Sequence, residues 1–485
     1  MGANEQARIA VAETMKILLV YPTIGLSPSY SCGVGYISAV LKGAGHAVSY
    51  RGLATVEEIG PLCRAIATDQ PELIGFAATS CQFEQLKEVI PRVRSVSKAM
   101  LVCGGIHPTV QPDCLEDIPA LDAIVRGEGE FPLLDLANAL QDRRDYSRIP
   151  NLWVRHEGAV VRNELRPLIA DLDVLPFPDH DPAATQRAID EQWGMHRMIF
   201  SRGCSFRCPY CSNQVLSEVY RGKGTYHRLR SPAKAIAEIE RDADRFKFRF
   251  LFIDDDTITL NQDWFGEFFT LYRQRFSYPF YCNLRPGTLT RPMAGLLHAA
   301  GAKGVALGIE HGDAPFRKSV LHRNLSNEEI RRTVDFCRDA GIEEVYGQVM
   351  IGLPYETMEL YLQTVRLCRS LRVIPFRYIY QPYPGTALAK TCEQNHWTPQ
   401  KPVYVERREA VIDYPQFSRE QIQVCFDVFS VLVRLKFLPL RVPLLSTERL
   451  LRCYRFLTAW MLPSARGLCR SVPWLRRWVI YRPQA

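Results

Sequence analysis

Residues 202–214 read RGCSFRCPYCSNQ, and three cysteines in this stretch have the spacing CxxxCxxC. They are Cys204, Cys208 and Cys211, and they lie between a predicted strand, MIFSRG, and a predicted helix. Three thiolates on one tight loop can bind three irons of a single four-iron, four-sulfur (4Fe-4S) cluster and leave the fourth iron without a protein ligand. The spacing therefore predicts a cluster with one open iron.

A zinc knot is the alternative interpretation of the three cysteines, and it needs a fourth nearby ligand. His196 and His227 are within range along the chain, but neither forms a CxxC-type pair. Chance burial of three cysteines is disfavoured by the regular spacing and by the flanking Gly203, Arg207 and Pro209. Because a short motif is a hypothesis until its context agrees, the surrounding pattern has to decide.

Strand and helix patterns alternate on both sides of the cysteine loop. After it, the apolar runs RFLFIDDD, FYCNLR, GVALGIEHG, VYGQVMIGLP and PFRYIYQPYPG alternate with helices. Residues 196–390 are therefore predicted to form a partial (β/α)6 barrel with its active site at the carboxyl ends of the strands. Before the loop, KILLVYP, HAVSYRG, LIGFAATS, AMLVCGGI and AIVRGEG alternate with helices in the same way. This predicts an α/β domain over residues 15–140, a doubly wound (Rossmann- or flavodoxin-like) parallel sheet.

The remaining segments lack this alternation. Residues 141–195 have little periodicity and are predicted to be a linker, because four prolines exclude regular helix or central strand: Pro167, Pro176, Pro178 and Pro182. Residues 391–485 are predicted to be a basic, helical C-terminal region.

Size and composition agree with several folded domains. A chain of 485 residues exceeds the ~250–300 at which a single core stops growing. With 47% hydrophobic and 23% charged residues, the composition is globular. Fifteen cysteines and a start without a signal pattern predict a reducing, cytoplasmic location.

Positive charge is concentrated at the end of the chain. Residues 434–485 hold eleven lysines and arginines against Glu448 alone, whereas the whole chain has a formal charge of +8. A nucleic-acid enzyme needs positive charge around its cleft as well, so no nucleic-acid partner is expected. No uncharged run reaches the ~18–20 residues of a membrane span. The tail is predicted either to cap the barrel or to contact a membrane surface peripherally.

The cysteine motif, with an aromatic residue at Tyr210, resembles the signature of the radical S-adenosylmethionine (SAM) superfamily. FIDDDT, GIEHG, IGLPYET and PYPGT match further motifs at the expected strand ends. In the first domain, YPT, GVGYISAVLKGAGH, ATSCQF, GGIHPT and GEGEFP resemble the cobalamin-binding domain that precedes the barrel in one large subfamily. Over residues 15–390 the chain is thus similar to the cobalamin-dependent radical SAM family, which is class B methyltransferase-like.

The resemblance implies a SAM site at the mouth of the barrel. Chelation of the open iron by SAM would place Tyr210 near the adenine, and Gly352 to Pro354 would contact the adenine through the backbone. The implied polar contacts are Asp254, Asp255 and Glu310, with Asn283 and Arg285 for the ribose and the carboxylate. For each acidic side chain, a strand-end cap or a surface ion pair is the alternative.

The resemblance also implies a cobalamin site, with these residues: Gly33, Gly35, Thr79, Ser80, Gly104, Gly105, Gly127 and Glu128. Glycines at strand ends let the backbone approach a bulky ligand. The chain has no DxHxxG motif, and His107 in GGIHPT is expected to cap or to pack and not to bind cobalt. Cobalamin is therefore expected base-off. A flavodoxin-like module for another ligand is the alternative.

By the same resemblance, the activity is methylation of an unactivated carbon of a small-molecule or lipid-like substrate. SAM cleavage would generate a carbon radical, methylcobalamin would deliver the methyl group, and flavodoxin or ferredoxin would supply electrons. One rival is a cyclase or rearrangement enzyme of the same subfamily, and another is a non-catalytic metal- or ligand-binding protein. The sequence identifies neither the substrate nor a catalytic side chain.

Overall fold

The first part of the chain folds around a sheet of short, buried strands. In the computed structural model, which describes residues 14–24, 30–399 and 407–434, the chain divides into two units. The first comprises residues 14–24, Tyr30–Pro167 and Leu175–Asp181. The second comprises Leu168–Val174 and the described residues from Pro182 onward.

Seven strands form the sheet of the first unit: β1 (Lys16–Pro22), β2 (Ala47–Leu53), β3 (Leu73–Ala77), β4 (Met100–Gly104), β5 (Ala123–Val125), β6 (Leu152–His156) and β7 (Ala159–Arg162). Their order is β2-β1-β3-β4-β5-β6-β7, and β1 to β5 are parallel. The helices are α1 (Cys32–Gly43), α2 (Ile59–Asp69), α3 (Ser80–Val96), α4 (Ile106–Val110) and α5 (Glu130–Gln141). Two hydrophobic clusters cover the two faces of the sheet, which explains why β3 to β5 read as continuous apolar runs. The predicted doubly wound domain is confirmed.

Part of the predicted linker is regular structure. β6 pairs antiparallel with β5, and β7 pairs antiparallel with β6. Glu157 and Gly158 connect them with φ of 50° and 81°, which are typical of a two-residue hairpin turn. The sequence LWVRHEGAVVR is typical of such a hairpin, whereas the prolines that follow it indicate irregular structure, and the linker prediction relied on the prolines. Residues 141–195 therefore differ from the linker that was expected.

Six parallel strands form the main sheet of the second unit: β8 (Met195–Met198), β11 (Phe250–Ile253), β12 (Phe280–Leu284), β13 (Ala302–Glu310), β14 (Glu344–Ile351) and β15 (Ile374–Ile379). They follow one another in chain order, and no described strand joins β15 back to β8. A short antiparallel pair accompanies them: β9 (Ser201–Arg202) and β10 (Arg228–Leu229). The predicted partial barrel is confirmed.

The described helices of the second unit are α6 (Pro182–Glu191), α7 (Ser212–Val219), α8 (Pro232–Arg245), α9 (Gln262–Arg275), α10 (Arg291–Ala299), α11 (Ala314–Ser319), α12 (Asn327–Asp339), α13 (Met358–Leu371), α14 (Ala387–Gln394) and α15 (Arg419–Arg434). One hydrophobic cluster joins the outer face of the strands to α8 through α15. Side chains on the inner face are free to form a site.

The C-terminal region is described only in part. α15 packs on the outside of the barrel, where Tyr361 donates a hydrogen bond of 2.9 Å to the carbonyl of Cys425. The basic tail predicted to contact a membrane or cap the barrel lies, from residue 435 onward, outside the described residues. Within the described ranges, no helix combines the length and the apolar character that crossing a bilayer requires.

Candidate active site

The cysteine loop connects β9 to α7 and is held in one conformation by local contacts. Gly203 has φ of 79°, and a Cβ there would lie 2.5 Å from the carbonyl oxygen of Tyr226. The amide of Cys211 donates to the carbonyl of Cys208 (3.0 Å), and Cys211 is the N-cap residue of α7. Glycine is therefore required where the loop begins, and the last cysteine is fixed where the helix begins.

The three cysteines are free thiols in one electrostatic neighbourhood. The pKa of the Cys211 thiol is raised to about 11, chiefly by burial, with a smaller contribution from the charges of Asp256, Cys208 and Cys204 and an opposing one from the amide of Asn213. Thiolates at this position need a positive partner, which iron supplies. Within the described ranges, no three His, Cys, Asp or Glu side chains converge as one metal ion requires. The donor set fits a cluster whose thiolates bind separate irons and disfavours the zinc knot.

Arg285 follows β12 and lies beside the cysteine loop. Its Nη1 is 3.6 Å from Sγ of Cys208, and its guanidinium lies 3.6 Å from the centroid of the Phe206 ring. This places a positive charge against a predicted cluster ligand. The predicted contact with the carboxylate of SAM stays a prediction.

A buried arginine joins Tyr210 to Glu310. Nη1 of Arg323 donates to the Tyr210 hydroxyl (3.1 Å) and to Oε1 of Glu310 (2.8 Å), while Nη2 donates to the carbonyl of Gly308 (2.6 Å). Arg323 is only 4% exposed, so these partners compensate a charge removed from water. The ion pair between Arg323 and Glu310 thus fixes the position of Tyr210, the aromatic residue inside the cysteine motif.

Glu310 itself has an unusual backbone. Its φ is 65°, a left-handed conformation that non-glycine residues adopt rarely, and the β13–β14 register shifts at this point. Such conformations persist where the surrounding structure enforces them, and they are common at ligand sites. The left-handed backbone of Glu310 therefore supports the prediction that it is a site residue.

Asp254 and Asn283 meet at the carboxyl ends of β11 and β12. Oδ2 of Asp254 accepts from Nε and Nη2 of Arg197 (3.1 and 2.9 Å), and Oδ1 accepts from Nδ2 of Asn283 (3.2 Å). All three side chains are partly exposed. Two predicted SAM contacts are therefore adjacent and accessible to a ligand.

Asp255 points away from this accessible group. It is 1% exposed, and its carboxylate accepts from the amide of Phe200 (3.1 Å) and from the Ser201 hydroxyl. Burial raises the pKa of this carboxyl to about 6. The structure gives Asp255 a positioning role just before the cysteine loop, in place of the predicted contact with SAM.

The Gly352–Pro354 turn is also occupied by protein. The amides of Gly352 and Leu353 donate to Oε2 of Glu356 (2.7 and 3.1 Å), and the carbonyl of Gly352 accepts from Tyr414 (3.0 Å). Gly352 has φ of 79°, and a Cβ there would lie 2.7 Å from Ile422. Both Gly352 and Pro354 are buried. Gly352 allows α15 to pack against this turn. The predicted backbone contact to adenine is therefore replaced by contacts with protein.

Several residues of the site were missed by the sequence analysis. Asp256 accepts from Asn213 (2.8 Å), which in turn accepts from the hydroxyl of Tyr226 (2.8 Å), and the charge of Asp256 influences both Cys204 and Cys211. The FIDDDT run contained the signal for Asp256. Arg323 and Glu356 had none, because their roles depend on burial between segments distant in sequence.

In the first unit, the predicted cobalamin residues of β3 and β4 meet at the carboxyl edge of the sheet. Gly105 has φ of 105°, and a Cβ there would lie 2.7 Å from the carbonyl oxygen of Ala78, so only glycine fits. Gly104 ends β4, and Thr79 is the N-cap residue of α3. Thr79, Gly105 and the neighbouring Ile106 are exposed. An exposed glycine backbone beside an isoleucine fits a bulky, largely uncharged ligand such as cobalamin.

Ser80 and His107 are buried beneath this edge. The Ser80 hydroxyl is 3.0 Å from Nδ1 of His107, and the imidazole stacks on the Phe83 ring with centroids 4.3 Å apart. Burial, and then the charge of Lys87, lower the pKa of His107 to about 4. A packed, neutral histidine agrees with the expectation for this loop, whereas Ser80 faces the histidine and not the exposed edge.

The other predicted cobalamin residues divide into two groups. Gly127 and Glu128 follow β5, and the amide of Gly127 donates to the Thr109 hydroxyl (2.8 Å). Gly33 and Gly35 lie in the first turn of α1, where a Cβ on Gly35 would lie 2.7 Å from the His180 ring. The carbonyl of Gly35 accepts from the amide of Asp179 (2.9 Å). Gly35 thus accommodates a protein segment, which differs from the predicted contact with cobalamin.

Comparisons with known proteins identify both units. Residues 198–368 match the family model of the radical SAM superfamily, and residues 27–137 match the model of the B12 binding domain. The chain is similar to an uncharacterized methyltransferase of Pyrococcus horikoshii, with 26% identity over 78% of this chain and 83% of that protein. It is similar to the anaerobic magnesium-protoporphyrin IX monomethyl ester cyclase of Rubrivivax gelatinosus, with 26% identity over 77% of this chain and 69% of that protein. 

Its fold is similar to that of the radical S-adenosylmethionine methyltransferase TsrM from Kitasatospora setae, solved with cobalamin and a [4Fe-4S] cluster bound. The TM-score is 0.65, the identity is 19%, and the match covers 80% of each chain. In this chain the B12-binding match lies ahead of the radical SAM match.

Proposed function

Since the chain is a cobalamin-dependent radical SAM enzyme, we propose that it methylates an unactivated carbon of a small-molecule or lipid-like substrate. The observation that carries the proposal is the presence, in one chain, of a B12-binding match and a radical SAM match that contains the CxxxCxxC loop. A relative described as a methyltransferase, aligned over most of both chains, supports it.

When bound, the cluster would supply the electron for reductive cleavage of SAM, and cobalamin would carry the methyl group. Cys204, Cys208 and Cys211 would hold the cluster. Thr79, Gly104, Gly105, Gly127 and Glu128 would hold cobalamin, with Ile106 as an apolar contact.

The protein's own residues would orient SAM. Arg323 holds Tyr210 and Glu310 in fixed positions, so an aromatic face and a carboxylate are available without rearrangement when SAM binds. Asp254 and Asn283 present acceptor and donor atoms on the neighbouring strands. The carboxylate of Glu310 suits a ribose hydroxyl or the methionyl ammonium.

Radical SAM enzymes need a reductant, and for this chain we propose a flavodoxin or a ferredoxin in the cytoplasm. The basic segment 434–485 is proposed to contact anionic membrane surfaces, at a worth of ~1 kcal/mol per basic residue near the surface. Binding to vesicles of phosphatidylserine and phosphatidylcholine at low salt tests this contact. A truncation before Arg434 should bind less.

Labelled SAM tests methyl transfer directly. Anaerobically purified protein, loaded with cluster and cobalamin, is incubated with a reductant, SAM carrying a trideuterated methyl group, and a metabolite and lipid extract. A product containing the deuterated methyl is expected, and a Cys208→Ala preparation should form none. Turnover of SAM with no labelled product in any extract would contradict the proposal.

The second candidate is a cyclase or rearrangement enzyme, which the similarity to the Rubrivivax gelatinosus cyclase favours. The same assay separates the two activities. A cyclase would release 5′-deoxyadenosine and alter its substrate without adding the deuterated methyl. A methyltransferase would add it.

A further inference from the structure

The inner face of the barrel sheet is only partly covered. Along β15, Arg377 points outward and donates to the carbonyl of Phe426 in α15. Side chains alternate along a strand, so Phe376 and Tyr378 point inward, and both are half-buried. In a filled barrel the inward side chains are bulky, branched and fully buried. The half-buried inner face therefore lines a space that a ligand can enter.

Aromatic rings dominate this inner face. The rings of Phe250 and Tyr281 have centroids 5.4 Å apart, those of Tyr281 and Tyr346 are 6.3 Å apart, and those of Phe376 and Tyr378 are 4.9 Å apart. β13 contributes small residues to the same face, and a Cβ on Gly304 would lie 2.7 Å from the Tyr281 ring. The hydroxyls of Tyr281 and Tyr346 both donate to the carboxylate of Glu344, so the polar edges of these rings are occupied by protein. The ring faces that remain, beside the small residues of β13, suit a large apolar or planar body.

A cation lies where β15 ends. Nε of Arg407 donates to the Tyr383 hydroxyl (2.9 Å), and the guanidinium lies 5.3 and 5.5 Å from the ring centroids of Tyr378 and Tyr383. The side chain is exposed, and no carboxylate of the described residues pairs with it. The carbonyl of Arg407 accepts from the amide of Ile379 (2.8 Å), which ties this cation to the strand. Two tyrosines thus orient a guanidinium that forms no ion pair with the acidic side chains the structure describes.

Arg407 also interacts with the cysteine loop. Arg407 and Cys211 interact electrostatically, and Tyr378 has Arg407, Arg197 and Asp254 as charged neighbours. Arg197 differs from Arg407 because Asp254 already neutralises it at 2.9 Å. Among the described residues at this end of the barrel, Arg285 lies against the Cys208 thiol, whereas Arg407 contacts two tyrosines and is available to an anionic ligand.

We propose that the aromatic inner face and Arg407 together form the substrate subsite, and that the substrate joins a large apolar or planar body to a carboxylate or phosphate group. Arg407 binds the anion, with Tyr378 and Tyr383 holding the guanidinium in position. The aromatic inner face binds the apolar body. The proposal rests on the proposed function, because it takes the space inside the barrel to be where substrate is modified.

Paired fluorescent probes test the subsite in the holoenzyme. Pyrene-1-butyrate and 1-pyrenebutanol share one planar body and differ in the anionic group. We expect the carboxylate to bind about tenfold more tightly than the alcohol, because one desolvated charge-assisted hydrogen bond has roughly this worth. Arg407→Gln should reduce the ratio to about one, and Arg407→Lys should keep part of it. Phe376→Ala should weaken both probes equally.

Arg408→Gln is the matched control, since Arg408 is the adjacent cation and influences the outward-facing Arg377. It should leave the probe ratio unchanged. Equal binding of the two probes, binding of neither, or a ratio that survives Arg407→Gln would overturn the proposal.

The carboxylate of SAM is another source of the same chemistry, so SAM affinity is measured for each variant. We expect Arg407→Gln to leave it unchanged. If SAM affinity falls and the probe ratio persists, Arg407 binds SAM and the proposal is wrong. Probe binding requires no turnover, so failure of methyl transfer leaves this test intact. Methylation that continues without probe binding would reject only the substrate class.

Discussion

Both parallel sheets end in a carboxyl edge that carries site residues, but the two edges differ in charge. At the edge of the first sheet, the exposed groups are Thr79, Gly105 and Ile106, and the buried histidine beneath them is neutral at pH 7. At the edge of the barrel sheet, Arg197 pairs with Asp254 and Arg323 pairs with Glu310, with Arg285 and Arg407 nearby. The first edge suits a bulky neutral surface, and the second suits a cluster and ligands that carry charged groups. Similar strand ends can therefore serve different cofactors because local charge selects the ligand.

Loss of the cluster has the largest expected effect, and it should leave the first unit intact. Cys204→Ala, Cys208→Ala or Cys211→Ala should each abolish SAM cleavage, because a cluster that loses a thiolate loses its anchoring. Iron content should fall from about four per chain, and cobalamin binding should persist. Iron analysis and 5′-deoxyadenosine detection measure the two properties.

Cys337→Ala is the control for these variants, since Cys337 is buried in the barrel core away from the loop. It should keep its iron and lose only ~1 kcal/mol of stability. A loop variant that retained both iron and SAM cleavage would refute the cluster assignment.

The next effect tests the charged edge of the barrel. Arg323→Met leaves Glu310 without its partner and Tyr210 without its hydrogen bond, and it should cost ~3–5 kcal/mol in the free energy of unfolding. SAM affinity should fall at least tenfold. Urea denaturation and equilibrium dialysis measure these changes.

Arg291→Met removes an ion pair of similar length from the surface, where both Arg291 and Asp339 are more than half exposed. It should cost less than ~1 kcal/mol. Equal costs for the two variants would show that the buried network has no special role.

The contrast between the edges also explains what the sequence could predict. The cysteine loop, the parallel strands and their carboxyl-end motifs follow from local patterns, so the two domains and Glu310 were found. Asp255, Gly35 and Gly352 lie in motifs that predict ligand contacts, yet each of them contacts another protein segment. Whether a strand-end group faces ligand or protein depends on packing between distant segments, which no local pattern records.

Arg323 and Arg407 show the converse. Each lies in an irregular segment without a motif, 13 residues beyond Glu310 in the first case. Their importance comes from the side chains that surround them, so it emerges only from the folded structure.

A smaller effect is expected at the neutral edge. Gly105→Ala would place a Cβ against the carbonyl of Ala78 at a left-handed φ, which should cost ~1–3 kcal/mol and weaken cobalamin binding. The iron content should not change. Gly43→Ala is the control, because a Cβ there contacts nothing within 4 Å, and it should be neutral or slightly stabilising. Loss of iron in the Gly105 variant would show that the two edges are not independent.

The smallest expected effect on cofactor binding concerns His107. His107→Ala should leave the spectrum of bound cobalamin unchanged and base-off, because the imidazole stacks on Phe83 and its Nδ1 contacts Ser80. The variant should differ from wild type in acid stability. The pKa of His107 is lowered from 6.5 to about 4 in the folded protein, so its contribution is fully present above pH 6.5 and is lost as pH falls toward 4. Unfolding in urea between pH 7 and 4 should therefore show wild type losing up to roughly 3 kcal/mol more than the variant. A changed cobalt spectrum would make His107 a ligand, and the first edge would then lose its neutral character.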